Sequence, residues 1–400
     1  MKKIHYRTPQ VAIILELSHE ISRCMLRGIL KFVRIYGAWS VDFVVGGPQD
    51  QRLPNRRYWN GNGIIGRIPN QRVADEVINA NLPTVIIDPI DEFLNPKHPL
   101  SRCHNIRCDN IAVGQMAADY LLNSHFEQFA FVGEINNVNW SRLRQESFVS
   151  KITEAGFYCN VYSATEKVRK DWNIERKFMS RWIQRLPKPL ALFAGNDHRA
   201  RQILDACQLA SVPVPYQVAV LGVNNDQLLC EMTQPSLSSV PLDAENAGFN
   251  AAQILDQLMR HQTPPEKTLW FSPKQIIVRN STEQIHVTNK HLINALDFIR
   301  INAGMNIRVS DVARHVGVTR QWIERACKHE LGHSIMDEIK RIRIQTIRSL
   351  VGQTTIPFQE IAKQCGFECV NHLGIIFKKE FGITMSEYRK NTQQKSNESS

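Results

Sequence analysis

Between residues 11 and 280, short apolar runs alternate with longer stretches in which apolar positions recur every three or four residues. The runs VAIILEL (11–17), VDFVVG (41–46), GIIGRI (63–68), TVIID (84–88), FAFVG (129–133), LALFAG (190–195) and VAVLG (218–222) are too short for buried helices. Most are rich in β-branched residues, so they predict strands. The stretches between them, such as 21–37, 110–124 and 197–210, predict helices. Such alternation implies parallel sheets covered on both faces. Eight or more of these units fit two doubly wound lobes better than one sheet. Ligands of open α/β sheets bind outside the carboxyl ends of the strands, so a cleft between two lobes is expected.

The pattern changes after Arg279. Residues 278–290 are polar, and from His291 onward only helical periodicity remains, with Leu292, Ala295, Leu296 and Ile299 on one face. We expect a first domain over 1–283, a linker over 284–290, a helical domain over 291–390 and a disordered polar tail over 391–400. Within the helical domain one unit occurs twice, over 307–332 and 356–382. Ala313 and Gly317 match Ala362 and Gly366, and Glu-Leu-Gly at 330–332 returns as Glu-Phe-Gly at 380–382. Each copy predicts a helix, a tight turn at its first glycine, and a second helix. The alanines suit a close helix crossing, and Ser310 and Thr319 suit N-caps. Two linked helix-turn-helix units can read adjacent turns of DNA major groove.

Charge strengthens that expectation. Of the net +11, residues 290–390 contribute +6, from 16 Lys and Arg against 10 Asp and Glu, which leaves +5 for the first 289 residues. The basic excess is denser where the repeat lies, as phosphate contact requires. Nine cysteines follow no paired spacing, no signal peptide opens the chain, and no apolar run approaches the ~18 residues of a membrane span. A cytoplasmic chain with reduced thiols and no membrane partner is expected.

Four motifs point elsewhere and do not persuade. Gly61-Asn62-Gly63-Ile64-Ile65-Gly66 spells a dinucleotide fingerprint, but follows a polar stretch and runs into a strand rather than a helix. His329-Glu330-Leu331-Gly332-His333 spells a zinc-protease motif, yet Gly332 falls where its helix should stop. Cys365/Cys369/His372 and Cys103/His104/Cys108 have no matching second half. No catalytic residue, metal or cofactor is expected.

The second repeat carries Ile361-Ala362, Cys365-Gly366-Phe367, Phe377-Lys378-Lys379, Phe381-Gly382 and Tyr388-Arg389. This pattern resembles the DNA-binding domain of the AraC family of transcription regulators, and 336–351 resembles that family's linking helix. The resemblance implies that Arg320, Gln321, Glu324 and Arg325 face DNA from the first recognition helix, and Val370, Asn371 and His372 from the second. Arg can bind guanine, Gln adenine, and Glu the cytosine amine. Ile375 and Met385 depart from the family, which often has Arg and Pro there, so base reading should fall mainly to the first copy.

The first 280 residues resemble the sugar-binding region of LacI/GalR repressors and periplasmic sugar-binding proteins. The markers are CDNIAVGQMAADYLL (108–122), WSRLRQESF (140–148), FAGNDHRARQIL (193–204) and VAVLGVNND (218–226). By that resemblance Arg144, Trp172, Asn196, Asp197 and Asn224 line the cleft, with Trp140 and His19 as further candidates. Planar polar groups suit sugar hydroxyls, and an indole suits a sugar's C–H face. Asn224 departs from the family's usual Asp and leaves open a ligand other than the usual pentose.

Together the resemblances imply an α/β two-lobed periplasmic-binding-protein-like sensor domain plus an all-α C-terminal domain with two helix-turn-helix motifs. The pairing resembles the regulators of xylose operons. It implies a dimeric, sugar-responsive activator of a carbohydrate operon, with a double-stranded DNA operator, a small pentose-like effector and RNA polymerase as partners. The alternative is a sugar-binding protein or sugar-acting enzyme with a helical appendage and no sequence-specific DNA role.

Overall fold

The computed structural model describes residues 8–398 except 38, 44–46, 48–49, 56–58, 125, 135–137, 284–286, 288, 303–304, 306 and 368. The chain forms two compact units, 1–284 and 285–400. Most of the expected linker at 284–290, and the end of the run at 41–46, lie outside the described residues.

The first unit contains two parallel sheets. Strands β1 (Gln10–Ile14), β2 (Ser40–Phe43), β3 (Gly63–Gly66), β4 (Thr84–Ile87) and β5 (His104–Cys108) lie in one. Strands β6 (Gln128–Val132), β7 (Cys159–Val161), β8 (Leu190–Ala194), β9 (Val218–Val223) and β10 (Ser238–Val240) form the other, and β11 (Thr268–Phe271) returns to the first. The orders are β11-β5-β4-β3-β1-β2 and β10-β9-β8-β6-β7, with every neighbouring pair parallel. The chain therefore passes between lobes after β5, after β10 and again after β11, where Ile277 pairs with Ser239.

Helices α1 (Glu20–Tyr36), α2 (Gln71–Ala80) and α3 (Asp91–Leu94) belong to the first lobe. Helices α4 (Asn110–Asn123), α5 (Asn139–Glu154), α6 (Glu166–Arg169), α7 (Trp172–Arg185), α8 (Asp197–Leu209), α9 (Gln227–Met232) and α10 (Ala244–Met259) follow. Strand periodicity explains how both sheet faces are buried. In β1, Val11 and Ile13 enter one apolar cluster while Ala12 and Ile14 enter another on the opposite face. In β8, Ala191 and Phe193 pack on one side and Leu190, Leu192 and Ala194 on the other. Helices α1 and α10 approach closely because Gly28 and Gly248 face each other's backbone. A Cβ at Gly28 would lie 1.9 Å from the Glu245 carbonyl oxygen, and one at Gly248 2.0 Å from that of Met25.

The predicted strands that fall on described residues are present. Strands β5, β7, β10 and β11 lack a predicted counterpart, because HNIRC, CNV, SSV and TLWF are short or polar and sit near sheet edges or lobe crossings.

The second unit is helical: α11 (Lys290–Ile301), α12 (Val309–Val316), α13 (Arg320–Leu331), α14 (Ile335–Gln353), α15 (Phe358–Gln364), α16 (Val370–Phe381) and α17 (Met385–Glu398). Gly317, Gly332, Gly366 and Gly382 have φ of 76°, 75°, 72° and 74°, the left-handed region that glycine enters without steric cost. Thr319 caps α13 by accepting from the Trp322 amide at 3.2 Å. Ser310 is not a cap. Helix α12 begins two residues earlier than that cap implies, at Val309 after Arg308, whose amide donates to the Asp311 carboxylate at 2.9 Å. The segment expected as a disordered tail is helical as far as Glu398, because α17 starts at Met385 and continues through the helix-compatible Gln-Gln-Lys run. Among the described residues, no helix is long and apolar enough to cross a membrane.

Candidate functional site

A cavity of about 550 Å³ opens at the carboxyl ends of β1, β3, β4 and β5. The first lobe supplies Glu16, Arg67, Asp88 and Arg107, and the start of α5 in the second lobe closes it with Asn139 and Trp140. Trp140 carries the Arg144 guanidinium over its ring at 4.9 Å. That guanidinium is buried. Its Nε donates to Asn110 Oδ1 at 2.9 Å and a terminal nitrogen donates to the Gly195 carbonyl at 2.7 Å. Burial pushes the Arg144 pKa down, with Cys108, Asp88 and Asp197 nearby acting against that fall. Arg144 thus ties the end of β8 to the start of α4, and the indole is the part of this pair that faces the cavity.

Beyond the cavity, the ends of β8 and β9 carry a polar network. Asn196 caps α8 through the Arg199 amide at 2.8 Å, and its amide group donates to Glu134 at 3.0 Å. Asp197 is buried and accepts from the Ser239 hydroxyl at 2.5 Å and the Asp226 amide at 2.8 Å. Burial raises its pKa to about 7, against the lowering from those two hydrogen bonds. Asn224 has φ 103° and a buried Oδ1 without a hydrogen-bond partner. Polar links among the described residues cross between lobes: Arg23 of α1 donates to Asp226 at 2.9 Å, Asn139 of α5 donates to Asp91 at 2.6 Å, and Arg142 of α5 lies 3.8 Å from the Asp91 carboxylate.

In the second unit, Arg320, Gln321 and Arg325 stand exposed along α13, with Glu324 half-buried 4.0 Å from Arg320. On α16, Asn371 and His372 are exposed, and His372 sets its ring edge-on to Phe367 at 5.8 Å. Val370 is half-buried and packs on the core of the second copy. Both helices are anchored from beneath. Ile323 and Cys327 are fully buried under α13, and Leu373 and Phe377 under α16.

Residues 118–282 match a periplasmic binding protein-like domain, and residues 312–391 match a helix-turn-helix domain. The xylose operon regulatory protein of Haemophilus influenzae is 31% identical over 333 residues, covering 82% of this chain and 85% of that relative. The Escherichia coli K12 protein of the same name is 28% identical over 340 residues, 84% of this chain and 86% of the relative. A solved xylose-binding transcription activator superposes with a TM-score of 0.82 at 26% identity, covering 96% of this chain and 98% of that one. The chain belongs to the xylose operon regulatory proteins. It is a sugar-responsive, DNA-binding transcription regulator built as a two-lobed sensor and an AraC-type reader. It belongs with regulators and not with enzymes, which removes the sugar-acting enzyme from the two alternatives.

Within this regulator, the expected sugar residues separate into groups. Trp140 lines the cavity. Arg144, Asn196 and Asp197 are engaged with protein partners, and Asp197 in particular is turned into its lobe to hold the Asp226 loop. Asn224 stands at the end of β9 with a free buried acceptor. Trp172 packs half-buried on the core of the second lobe, and His19 is exposed before α1; neither lines the cavity. Sequence reasoning missed Glu16, Arg67, Asp88 and Arg107. Each lies at or just past the end of a strand of the first lobe, so the strand-end rule could have found them. Two false motifs also resolve. Gly63–Gly66 is β3, and His333, past the end of α13, faces Glu338 at 2.9 Å.

Proposed function

We propose that the cavity between the lobes takes a pentose-type sugar, with D-xylose the first candidate, and that binding switches a homodimeric activator. The supporting observation is the cavity itself. One indole face and several carboxylate and guanidinium groups converge there at strand ends, the combination of apolar platform and planar polar groups that a sugar needs. The names of the relatives supply the choice of xylose. In this reading Trp140 is the platform, and Glu16, Arg67, Asp88 and Arg107 are the hydroxyl partners. Arg144 and Asn196 hold the wall from behind, and Asn224 offers a further acceptor. Sugar draws the lobes together and changes how the two subunits present their readers, which then recruit RNA polymerase in the cytoplasm. Arg320, Gln321, Glu324 and Arg325 on α13, with Val370, Asn371 and His372 on α16, contact the operator bases.

A thermal-shift series with D-xylose, L-arabinose, D-glucose and D-glucuronate tests the sensor. A matched sugar at ~100 Kd adds about 2.7 kcal/mol of stability and raises Tm. D-xylose is expected to give the largest shift. If another sugar gives it, the choice of xylose is wrong, and if none shifts the transition, the sugar-site proposal fails.

A further inference from the structure

The two reader helices differ in chemistry on the same face. Helices α13 and α16 are both 12 residues long and both end at a glycine of left-handed φ, Gly332 and Gly382. Aligned on those glycines, their anchors coincide: Ile323 with Leu373, and Cys327 with Phe377, all four fully buried. The outward positions then pair Arg320 with Val370, Gln321 with Asn371, Glu324 with Gly374, and Arg325 with Ile375. Three charged side chains of the first reader are replaced by two apolar ones and a glycine. Ile375 is 69% exposed, a large apolar group with no cover of its own. Hollows lie at corresponding places, one of about 560 Å³ beside Arg320 to Arg325 and one of about 450 Å³ along Val370, Gly374, Ile375 and Lys378.

We propose that α16 is a thymine reader, with Ile375 and Val370 packing on C5-methyl groups in the major groove and Asn371 taking the neighbouring adenine. This rests on the DNA-reading role proposed above. The methyl of thymine is the one apolar group that base edges display in the major groove. At the four aligned outward positions no Arg or Glu remains to take guanine bidentately or to accept from the cytosine amine, so apolar contact and the Asn371 amide set the base preference there. Gly374, between the two apolar residues in the aligned position of Glu324, leaves space for the methyl to enter. Exposed Lys363, Lys378 and Lys379 supply the positive charge that DNA phosphates match, which favours DNA over an apolar protein partner as the occupant. The first reader then selects polar base patterns while the second selects an A·T-rich half-site.

The test uses the full chain and a duplex enriched from a random library. The enriched duplex is remade with deoxyuridine for thymine, one half-site at a time, which removes only the methyl groups. Wild type should lose about fourfold in affinity per contacted methyl in one half-site, the equivalent of the ~0.8 kcal/mol of a buried CH₂. Ile375→Ala should bind the thymine duplex more weakly and lose the share of that sensitivity that Ile375 carries, leaving only the share of Val370. Arg325→Ala should also bind more weakly, by roughly 5- to 150-fold, yet keep the wild-type response to deoxyuridine. Equal deoxyuridine sensitivity in wild type and Ile375→Ala, or none in either, would overturn the thymine reader and point instead to a protein on this face. Failure to enrich any sequence is a different result, and would overturn the DNA-reading proposal with it.

Discussion

Asp197 shows how a single side chain near the cleft can be structural and still carry a measurable signature. Its pKa is raised from 3.8 to about 7, so between those values the folded protein holds a proton that the unfolded chain releases. Folded-state stability therefore falls as pH rises through this window, and the loss is complete above about 7. Asp197→Asn removes the titration while keeping one acceptor for Ser239 or the Asp226 amide. The Tm of the sensor unit should fall less between pH 5 and pH 8 in the variant than in wild type. Parallel curves in calorimetry would show that Asp197 ionises freely and that the raised pKa is wrong. The same residue marks the limit of residue-level reading. The sequence motif around Asn196-Asp197 locates the end of β8, but the Asp197 carboxylate turns away from the cavity toward Ser239, a direction set by the tertiary packing of β10 beside β9. Glu16 and Asp88 had the opposite fate. Nothing in their own neighbourhood spells a motif, and their position past a strand end becomes visible only once the strands are in order.

Among the elements, α14 joins the two readers and starts on a buried charge. Ser334 caps it through the Asp337 amide at 3.1 Å. One residue later, Glu338 is fully buried, with Arg341 donating to its oxygens at 2.7 and 2.8 Å and His333 beside it at 2.9 Å. Burial pushes the Glu338 pKa up, but the hydrogen bonds and charge from Arg341 and His333 outweigh it and leave it below 4.5. Its contribution is fully present above pH 4.5 and disappears as the pH falls through the lower folded value. Glu338→Gln should cost about 1–2 kcal/mol near neutral pH, because the charge-assisted hydrogen bonds from the partly exposed Arg341 and His333 are weakened while neither cation is left buried. It should also flatten the acid limb of the helical unit's unfolding curve between pH 5 and pH 3, followed by circular dichroism. An acid limb as steep as wild type would assign that limb to other carboxylates. The helices around α14 were legible from 3.6-residue periodicity and from glycines at fixed places. The start of α12 was not, because the Asp311 carboxylate reaches back to the Arg308 amide and displaces the expected Ser310 cap. The helical reach of α17 was hidden by polar composition, which does not separate a solvated helix from a disordered tail.

For the whole molecule, the two-lobed sensor was legible because the central strands β1, β3, β4, β6, β8 and β9 are apolar enough to be buried on both faces, while the polar contacts between lobes follow no periodicity. Arg23 of the first lobe meets Asp226 of the second at 2.9 Å, and Asp91 meets Asn139 at 2.6 Å. These links flank strand ends from both lobes, so they favour lobes that are drawn together. A ligand that binds between drawn-together lobes gains from any contact that raises the population of that state. Arg23 and Asp226 are partly exposed, so water and salt screen their pair and its worth is ~1 kcal/mol or less. Arg23→Ala should therefore weaken binding of the sugar by up to about fivefold, measured by titration calorimetry, and should also lower the melting of the sugar-free sensor, because Arg23 further donates to Glu20 and to the Leu17 and Ser18 carbonyls. The effect should shrink with added salt, since the pair is a screened surface contact. Tighter binding in the variant would mean that the pair holds the sugar-free arrangement instead, and unchanged binding would mean that it biases neither state.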